Sequence, residues 1–382
     1  METKKKVIIG ILVAVIIVSG VFMLIRKKAP VKQINVSNQQ QNQVPLNLGD
    51  VSPISGLACD NWNKRAVAVM QPADVQARPA AGFSEADMVI EMPAYTSSVT
   101  RLMGVYICNL PKEIGAIRSS RHDYIALAAG LNAVFVHWGG SHFALDLLKT
   151  KIIDNIECMS GNYCERWPVT GKMRLEDTGH ITSANVQKAI ADYKFSTEAK
   201  FSGYAHQAEA PEDQRPAGGH LRVAFREPYD ASYDYDKATN TYLRTWGDEP
   251  DTDRNNQKRV APKNVVVLFA KSTQITNTED WSGVARNPWD GVEEEKNTGA
   301  ESISGRYNNV QIGDPWYDSS DSGEARYYLN GKEYTGTWKK DKSRLDSKLM
   351  FYDNAGQEMM FVPGQIWVEI LEPGQNLRWT VQ

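Results

Sequence analysis

Cysteine and histidine are scarce in this chain, which has four Cys and six His among 382 residues. No C-x-x-C pair occurs and the histidines lack ligand spacing, so the sequence does not predict a zinc site. The G-x-S-x-G, Walker A and H-E-x-x-H motifs are also absent. The sequence therefore lacks the motifs that identify α/β-hydrolases, P-loop nucleotide-binding proteins and zinc metalloproteases.

A large excess of one charge is also lacking, because 43 Lys and Arg stand against 46 Asp and Glu for a net charge of −3. The first 28 residues hold six basic residues and one acidic residue, so the remainder carries −8. Such a body does not present a general surface for nucleic acid or anionic lipid. We therefore expect no nucleic-acid partner.

The chain has one long uncharged apolar run, the 19 residues from Val7 to Ile25. At about 1.5 Å per residue, a helix of this length covers roughly the 30 Å hydrocarbon core of a bilayer. Basic residues flank the run on both sides, and it contains neither a Cys nor a cleavage box. We therefore expect a single-pass signal anchor in the cell membrane rather than a removed signal peptide, although the flanking charges do not fix its orientation.

Three disulfide pairings are possible among Cys59, Cys108, Cys158 and Cys164. The last two bracket a five-residue loop with Ser and Gly, which suits a small disulfide ring. We favour Cys158 with Cys164 and Cys59 with Cys108, which would place the body in an oxidising compartment outside the cytoplasm. The alternative is that the four cysteines are buried apolar side chains.

Four regions follow from the changes in composition along the chain. Residues 1–28 are the predicted transmembrane anchor, and residues 29–45 are a linker whose Asn, Gln and Ser cannot bury enough surface to fold. Residues 46–215 alternate short apolar runs with amphipathic segments, which predicts an α/β domain with a mostly parallel or mixed sheet. Residues 216–382 alternate polar and apolar positions between turns, which predicts a β-rich domain.

Local patterns within these two domains predict individual elements. Apolar or alternating runs predict strands at 66–70, 88–91, 102–108, 133–137, 220–225, 264–270, 324–329, 333–338, 349–352, 358–362 and 366–371. Capped amphipathic segments predict helices at 121–130, 142–148 and 183–193. Residues 230–253 and 278–322 lack clear periodicity and are interpreted as long loops.

Two successive strand-to-helix turns are the sharpest functional signal, because ligands of open α/β sheets bind beyond strand ends and near helix N-termini. Together with an arginine that opens a strand and a later histidine, they supply the candidate ligand-binding residues. These are Arg101, Arg118, Ser119, Arg121, His137, Gly139, Gly140, Ser141 and His180. Guanidinium groups beside free backbone N–H groups suit phosphate, pyrophosphate or carboxylate.

Structural interpretations of the same residues remain open. Arg118 and Arg121 would then pair with Asp123, Asp87 or Glu91, and His137 and His180 would be half-buried side chains with satisfied hydrogen bonds. Asp87 and Glu91 are four residues apart on or beside a strand, so both side chains point to one face. This spacing makes them a weak candidate metal pair.

The order of motifs resembles the YerB-like family of bacterial envelope lipoproteins and anchored proteins, which pairs a domain of unknown function with a C-terminal partner domain. The motifs that carry the resemblance are Arg65–Met70, Ala77–Pro79, Ala86–Glu91, Thr100–Met103, Ile114–Arg121, Phe135–Ser141, Tyr233–Asp234, Tyr242–Arg244, Lys263–Val267, Gly336–Lys339 and Pro363–Trp367. The resemblance implies a role in the cell envelope and no particular reaction.

Three functions from different classes remain, and one of them is a structural or assembly factor that binds no small ligand. The first is a membrane-anchored extracytoplasmic protein that needs no cofactor and binds a phosphate-bearing or glycan ligand, or an envelope protein partner. The alternative is a transferase or hydrolase of envelope glycopolymer or lipid-linked phosphate, similar in layout to the LytR-CpsA-Psr enzymes. In that enzyme the arginines would hold phosphates and Asp87 or Glu91 a divalent cation. The sequence does not decide whether the chain is an enzyme.

Overall fold

The computed structural model describes residues 49–94, 99–274, 308–315 and 318–382, without the side chains of His142 and Gln274. The predicted anchor Val7 to Ile25 and most of the predicted 278–322 loop lie outside these ranges. Within them, no helix combines the length and apolar character needed to cross a membrane. The described residues form one compact unit.

Helices are few in the described ranges. Three α-helices are present, α1 (His122–Gly130), α2 (His142–Lys149) and α3 (Ser183–Asp192). They confirm the three predicted helices to within a residue or two. Short 3-10 helices lie at Val75–Ala77, Phe83–Glu85, Leu175–Asp177 and Glu212–Gln214.

Strands dominate the described residues. They are β1 (Val67–Pro72), β2 (Met88–Pro93), β3 (Thr100–Tyr106), β4 (Glu113–Gly115), β5 (Val134–His137), β6 (Asn155–Glu157), β7 (Cys164–Arg166), β8 (Gly179–Thr182), β9 (Gly218–Val223), β10 (Ala231–Asp236), β11 (Thr241–Trp246), β12 (Glu249–Pro250), β13 (Asn264–Phe269), β14 (Ser272–Gln274), β15 (Asn308–Val310), β16 (Ser322–Leu329), β17 (Lys332–Lys339), β18 (Met350–Asp353), β19 (Ile366–Leu371) and β20 (Leu377–Val381).

A ten-stranded mixed sheet is the centre of the molecule, in the order β18-β17-β16-β13-β19-β2-β3-β1-β5-β6. Parallel pairs join β1 to β5, β5 to β6, β13 to β19 and β19 to β2. The other pairs are antiparallel, including β2 with β3, which follow each other along the chain. The mixed sheet was predicted, but the fold is mostly β and contains less helix than an α/β label implies. Strands from both predicted domains contribute to this one sheet.

A second sheet has five strands in the order β12-β11-β10-β9-β20. The interpretation of residues 230–253 as a long loop was wrong, because β10 and β11 form a hairpin there. In β10 the burial alternates, with Tyr233 and Tyr235 inside and Asp234 exposed. This is the period-2 pattern of a strand with one solvated face. The predicted strand at 358–362 forms only isolated bridges.

Apolar side chains cover both faces of the ten-stranded sheet. In β1 the residues alternate, so that Met70 belongs to one core cluster and Val69 to the other. The first cluster also holds Leu127 of α1, and the second holds Tyr233 and Trp246 of the five-stranded sheet. Because both faces of the sheet are buried, the sequences of the central strands are continuous apolar runs.

Two disulfides are present, Cys59 with Cys108 and Cys158 with Cys164. The Cα atoms lie 5.4 and 5.3 Å apart, within the usual range for a disulfide. This is the connectivity favoured in the sequence analysis, where the short loop supported only the pairing of Cys158 with Cys164. Cys59–Cys108 closes a loop of 49 residues, whereas Cys158–Cys164 closes a ring between β6 and β7.

Candidate functional site

The two predicted turns meet through their backbones. Trp138 N donates to the carbonyl of Arg118 at 3.1 Å, Ser120 N donates to Gly139 O at 2.9 Å, and Ser141 N donates to Ser120 O at 3.2 Å. Gly139 adopts a φ of +64°, a conformation that glycine tolerates at little cost. Side chains about twenty positions apart along the chain are therefore neighbours.

Three arginines surround the carboxylate of Asp74, which lies just beyond the end of β1. Its oxygens are 3.5 Å from Arg101, 3.7 Å from Arg118 and 3.1 Å from Arg174. Burial alone would raise the pKa of Asp74, but the arginine charges lower it overall. Arg101 and Arg118 thus lie around one acid, Asp74, that the sequence interpretation did not name.

Glu176 and Asp177 complete this group, and we call Arg101, Arg118, Arg174, Asp74, Glu176 and Asp177 the arginine-carboxylate cluster. The carboxylate of Asp177 is buried and accepts from Arg174 Nε at 2.7 Å. Arg174 and Glu176 lie at the outside, with side chains 41% and 49% exposed. The three arginines and three acids balance, so the cluster is not a bare cationic site.

Arg118 differs from the other arginines of the cluster. Its closest carboxylate oxygens, on Asp74, Glu176 and Asp177, are all 3.7 to 3.8 Å away. These distances permit charge attraction but exceed hydrogen-bond length. Within the described ranges no acceptor takes a hydrogen bond from its guanidinium group, and its Nε is buried. The group has five N–H donors and is 18% exposed, so it retains capacity for an incoming acceptor.

Other residues of the two turns have structural roles. Arg121 is buried and donates to the carbonyl of Ser120 at 2.9 Å. The Ser141 hydroxyl caps α2 by accepting from Ala144 N at 3.2 Å. Ser119 is half-buried between the two arginines, and Gly140 forms a parallel bridge with Ser120. The acids proposed above as partners of Arg118 are not the ones that the structure places there.

The two histidines have different surroundings. His137 is buried, stacks on Phe135, and contacts Gly139 O through Nδ1 at 2.9 Å and Asn155 Oδ1 through Nε2 at 3.3 Å. It supports the turn in the way that the structural interpretation described. His180 in β8 stacks on Trp167, with ring centroids 4.7 Å apart. Its buried Nδ1 has no hydrogen-bond partner in the described parts of the chain.

Asp87 and Glu91 have separate partners. Asp87 accepts from the Ser55 hydroxyl at 2.6 Å and from Ile107 N at 2.7 Å. Glu91 accepts from Arg244 at 2.6 Å. Four residues along a strand span about 13 Å, too far for two carboxylates to share one ion. We therefore correct the weak metal assignment and treat both as structural carboxylates.

The comparisons with known proteins place these features in a family. Two family models match the chain, the Protein of unknown function (DUF3048) N-terminal domain over residues 54–196 and its C-terminal domain over residues 221–368. The chain belongs to the DUF3048 family. It is 23% identical over 346 residues to the candidate lipoprotein YerB of Bacillus subtilis (strain 168), covering 88% of this chain and 91% of that protein. The resemblance to the YerB-like family is confirmed.

The fold of this DUF3048 protein is also that of a solved relative. A crystal structure of the YerB protein from Bacillus subtilis matches with a TM-score of 0.67 at 21% identity, covering 86% of this chain and 99% of that chain. The arginine-carboxylate cluster lies wholly within the match to the N-terminal domain. Asp74 follows the end of a predicted strand, so the same rule that selected the turns could have found it. Arg174, Glu176 and Asp177 carry no comparable signal in the sequence.

Proposed function

We propose that this DUF3048 protein binds an anionic ligand of the cell envelope, a phosphate-bearing molecule or a charged glycan, at the guanidinium group of Arg118. The observation that carries the proposal is the state of that group, which is charged and mostly buried but makes no hydrogen bond to any described residue. A phosphate or carboxylate accepts two parallel hydrogen bonds from a guanidinium group. Arg118 has this capacity.

The neighbouring charges favour a ligand that enters from the side of Glu176. The Glu176 side chain is 49% exposed and 3.8 Å from Arg118, whereas Asp177 is buried and bonded to Arg174. An exposed carboxylate held only by charge is easily displaced, because such ion pairs contribute about 0–1 kcal/mol. The ligand's anionic group would replace Glu176, and Arg101 and Arg174 would add to the local positive potential.

We also propose that the body works outside the cytoplasm, attached through Val7 to Ile25. The two disulfides support an oxidising compartment. The relative is described as a lipoprotein, which is consistent with attachment to a membrane through a different kind of anchor.

Membrane fractions washed with alkaline carbonate should retain the chain, and deletion of residues 7–25 should release it. Release of the full chain by the wash would contradict a transmembrane anchor.

Isothermal titration of the full chain in detergent with inorganic pyrophosphate tests the ligand proposal. We expect saturable binding that Arg118→Gln weakens at least tenfold, because the bidentate donors are lost. Arg222→Gln is the matched control, since Arg222 is 50% exposed and also has two carboxylates, at 3.6 Å. Absence of binding to the wild type, or equal loss in both variants, would refute the proposal.

A further inference from the structure

We propose that this chain binds one divalent transition-metal ion, such as zinc or manganese, between His122, Asp123 and Asp314. His122 and Asp123 begin α1, and Asp314 follows β15. A ring nitrogen of His122 and one carboxylate oxygen from each Asp all lie within 4.8 Å of one another, and all three residues are buried. Ligand atoms about 2.0–2.2 Å from one ion are at most roughly 4.4 Å apart. A small contraction would therefore bring all three onto one ion.

The composition of this set distinguishes it from a group of acids on a surface. An imidazole nitrogen with two carboxylates is a ligand set of zinc, manganese and iron, whereas calcium and magnesium prefer oxygen alone. The ligands also come from two distant segments of the chain. One segment lies in the match to the DUF3048 N-terminal domain and the other in the match to the C-terminal domain.

A second layer of residues orients the ligands. Asn309 Oδ1 contacts His122 Nε2 at 2.9 Å, and Asn309 Nδ2 donates to Asp318 at 3.0 Å. The other oxygen of Asp318 accepts from Gly313 N at 2.6 Å and from Asp314 N at 2.9 Å. Val310 N donates to Asp123 at 2.9 Å. Hydrogen bonds of this kind fix ligand orientation around metal ions in proteins.

The charges that face the set also favour a cation. Asp123, Asp314 and Asp318 bring three carboxyl groups together, and among the described residues the His122 ring and the Lys340 ammonium group face them. A bound divalent cation would relieve this crowding.

The site would connect the two DUF3048 domains, so a bound ion should stabilise the whole body. Metal that binds only the folded chain raises the unfolding temperature by mass action. This effect does not depend on Arg118 or on any envelope ligand. A test of metal binding is therefore independent of a test of the proposed function.

The test uses the full chain in detergent, stripped with a chelator and dialysed against zinc or manganese chloride. We expect about one ion per chain by elemental analysis, and an unfolding temperature several degrees above that of the stripped protein. Asp123→Asn should reduce ion retention at least tenfold and remove the temperature shift, while its amide oxygen still accepts from Val310. His122→Gln should do the same. Asp346→Asn is the control, because Asp346 is exposed and pairs with Arg344.

Three results would overturn the assignment. The first is that neither the wild type nor the Asp346→Asn control retains an ion after a buffer wash. The second is equal retention by Asp123→Asn and the wild type. The third is binding of calcium alone with no change in His122→Gln, which would indicate a site of oxygen ligands without the imidazole.

Discussion

Glu91 and Glu369 lie directly opposite each other on the neighbouring parallel strands β2 and β19, and both side chains are fully buried. Arg244 donates to Glu91 and to Asp251, at 2.6 Å in each case, and Tyr233 donates to Glu369. The contact between Arg244 and Glu91 connects the regions matched by the two DUF3048 models. Burial and the nearby Glu91 charge raise the pKa of Glu369 well above its ordinary value.

The raised pKa of Glu369 predicts a stability that depends on pH. In the unfolded chain this carboxyl ionises near pH 4.5, so its contribution is complete below that pH and is lost as the pH rises towards the folded pKa. Glu369→Gln cannot ionise and keeps an acceptor for Tyr233. Its stability relative to the wild type should therefore increase by up to about 1.4 kcal/mol per pH unit above pH 4.5.

Urea unfolding at pH 4.5, 6 and 7.5 would measure this difference. Glu249→Gln is the control, since Glu249 is exposed on β12. Parallel stability profiles for Glu369→Gln and the wild type would show that Glu369 is ionised in the folded chain.

Replacement of Arg244 should be strongly destabilising. Arg244→Met leaves Glu91 and Asp251 buried without their cation, and removal of one partner of a buried ion pair costs about 3–5 kcal/mol. Arg222→Met on strand β9 of the same five-stranded sheet serves as control, because exposed ion pairs contribute about 0–1 kcal/mol. Denaturant midpoints of the two variants give the comparison. Similar losses would mean that the buried network contributes little beyond surface pairing.

The two disulfides should differ in their contribution to stability. In the chain-entropy account, the 49-residue loop of Cys59–Cys108 is worth about 4 kcal/mol and the six-residue separation of Cys158–Cys164 about 2 kcal/mol. Double replacement of each pair by Ala, followed by urea unfolding, measures both values.

Mass analysis of protein purified from the envelope, with and without reductant, shows whether the two disulfides form. Four free thiols without reductant would rule out both.

Local patterns in the sequence predicted the features that depend on neighbouring residues. The apolar run in β1, the capped start of α3 and the short ring between Cys158 and Cys164 all have a signal within a few positions. The hairpin of β10 and β11 was missed because the Asp residues beside Tyr233 and Tyr235 made the segment look polar. Its alternation, rather than its mean hydropathy, was the informative property.

The charged sites depended on residues far apart along the chain. Arg244 pairs with Glu91 across 153 positions, and Asp123 meets Val310 across 187. Periodicity cannot report such distances, because it describes one element at a time. The convergence of the two turns was predictable only because a general rule places strand ends at one edge of a sheet.

Removal of the Glu176 charge should strengthen ligand binding at Arg118. Glu176 is half exposed and lies 3.8 Å from Arg118, so we expect it to compete with an incoming anion. Glu176→Gln should lower the dissociation constant for pyrophosphate by up to about fivefold at low salt, the range of an exposed ion pair. The gain in affinity should shrink as ionic strength rises, because salt screens exposed charges.

Glu227→Gln, beside Arg222, is the matched control and should leave the dissociation constant for pyrophosphate unchanged. Weaker binding by Glu176→Gln would instead identify Glu176 as a residue that supports the site, and the direction of the change in titration decides between these two roles.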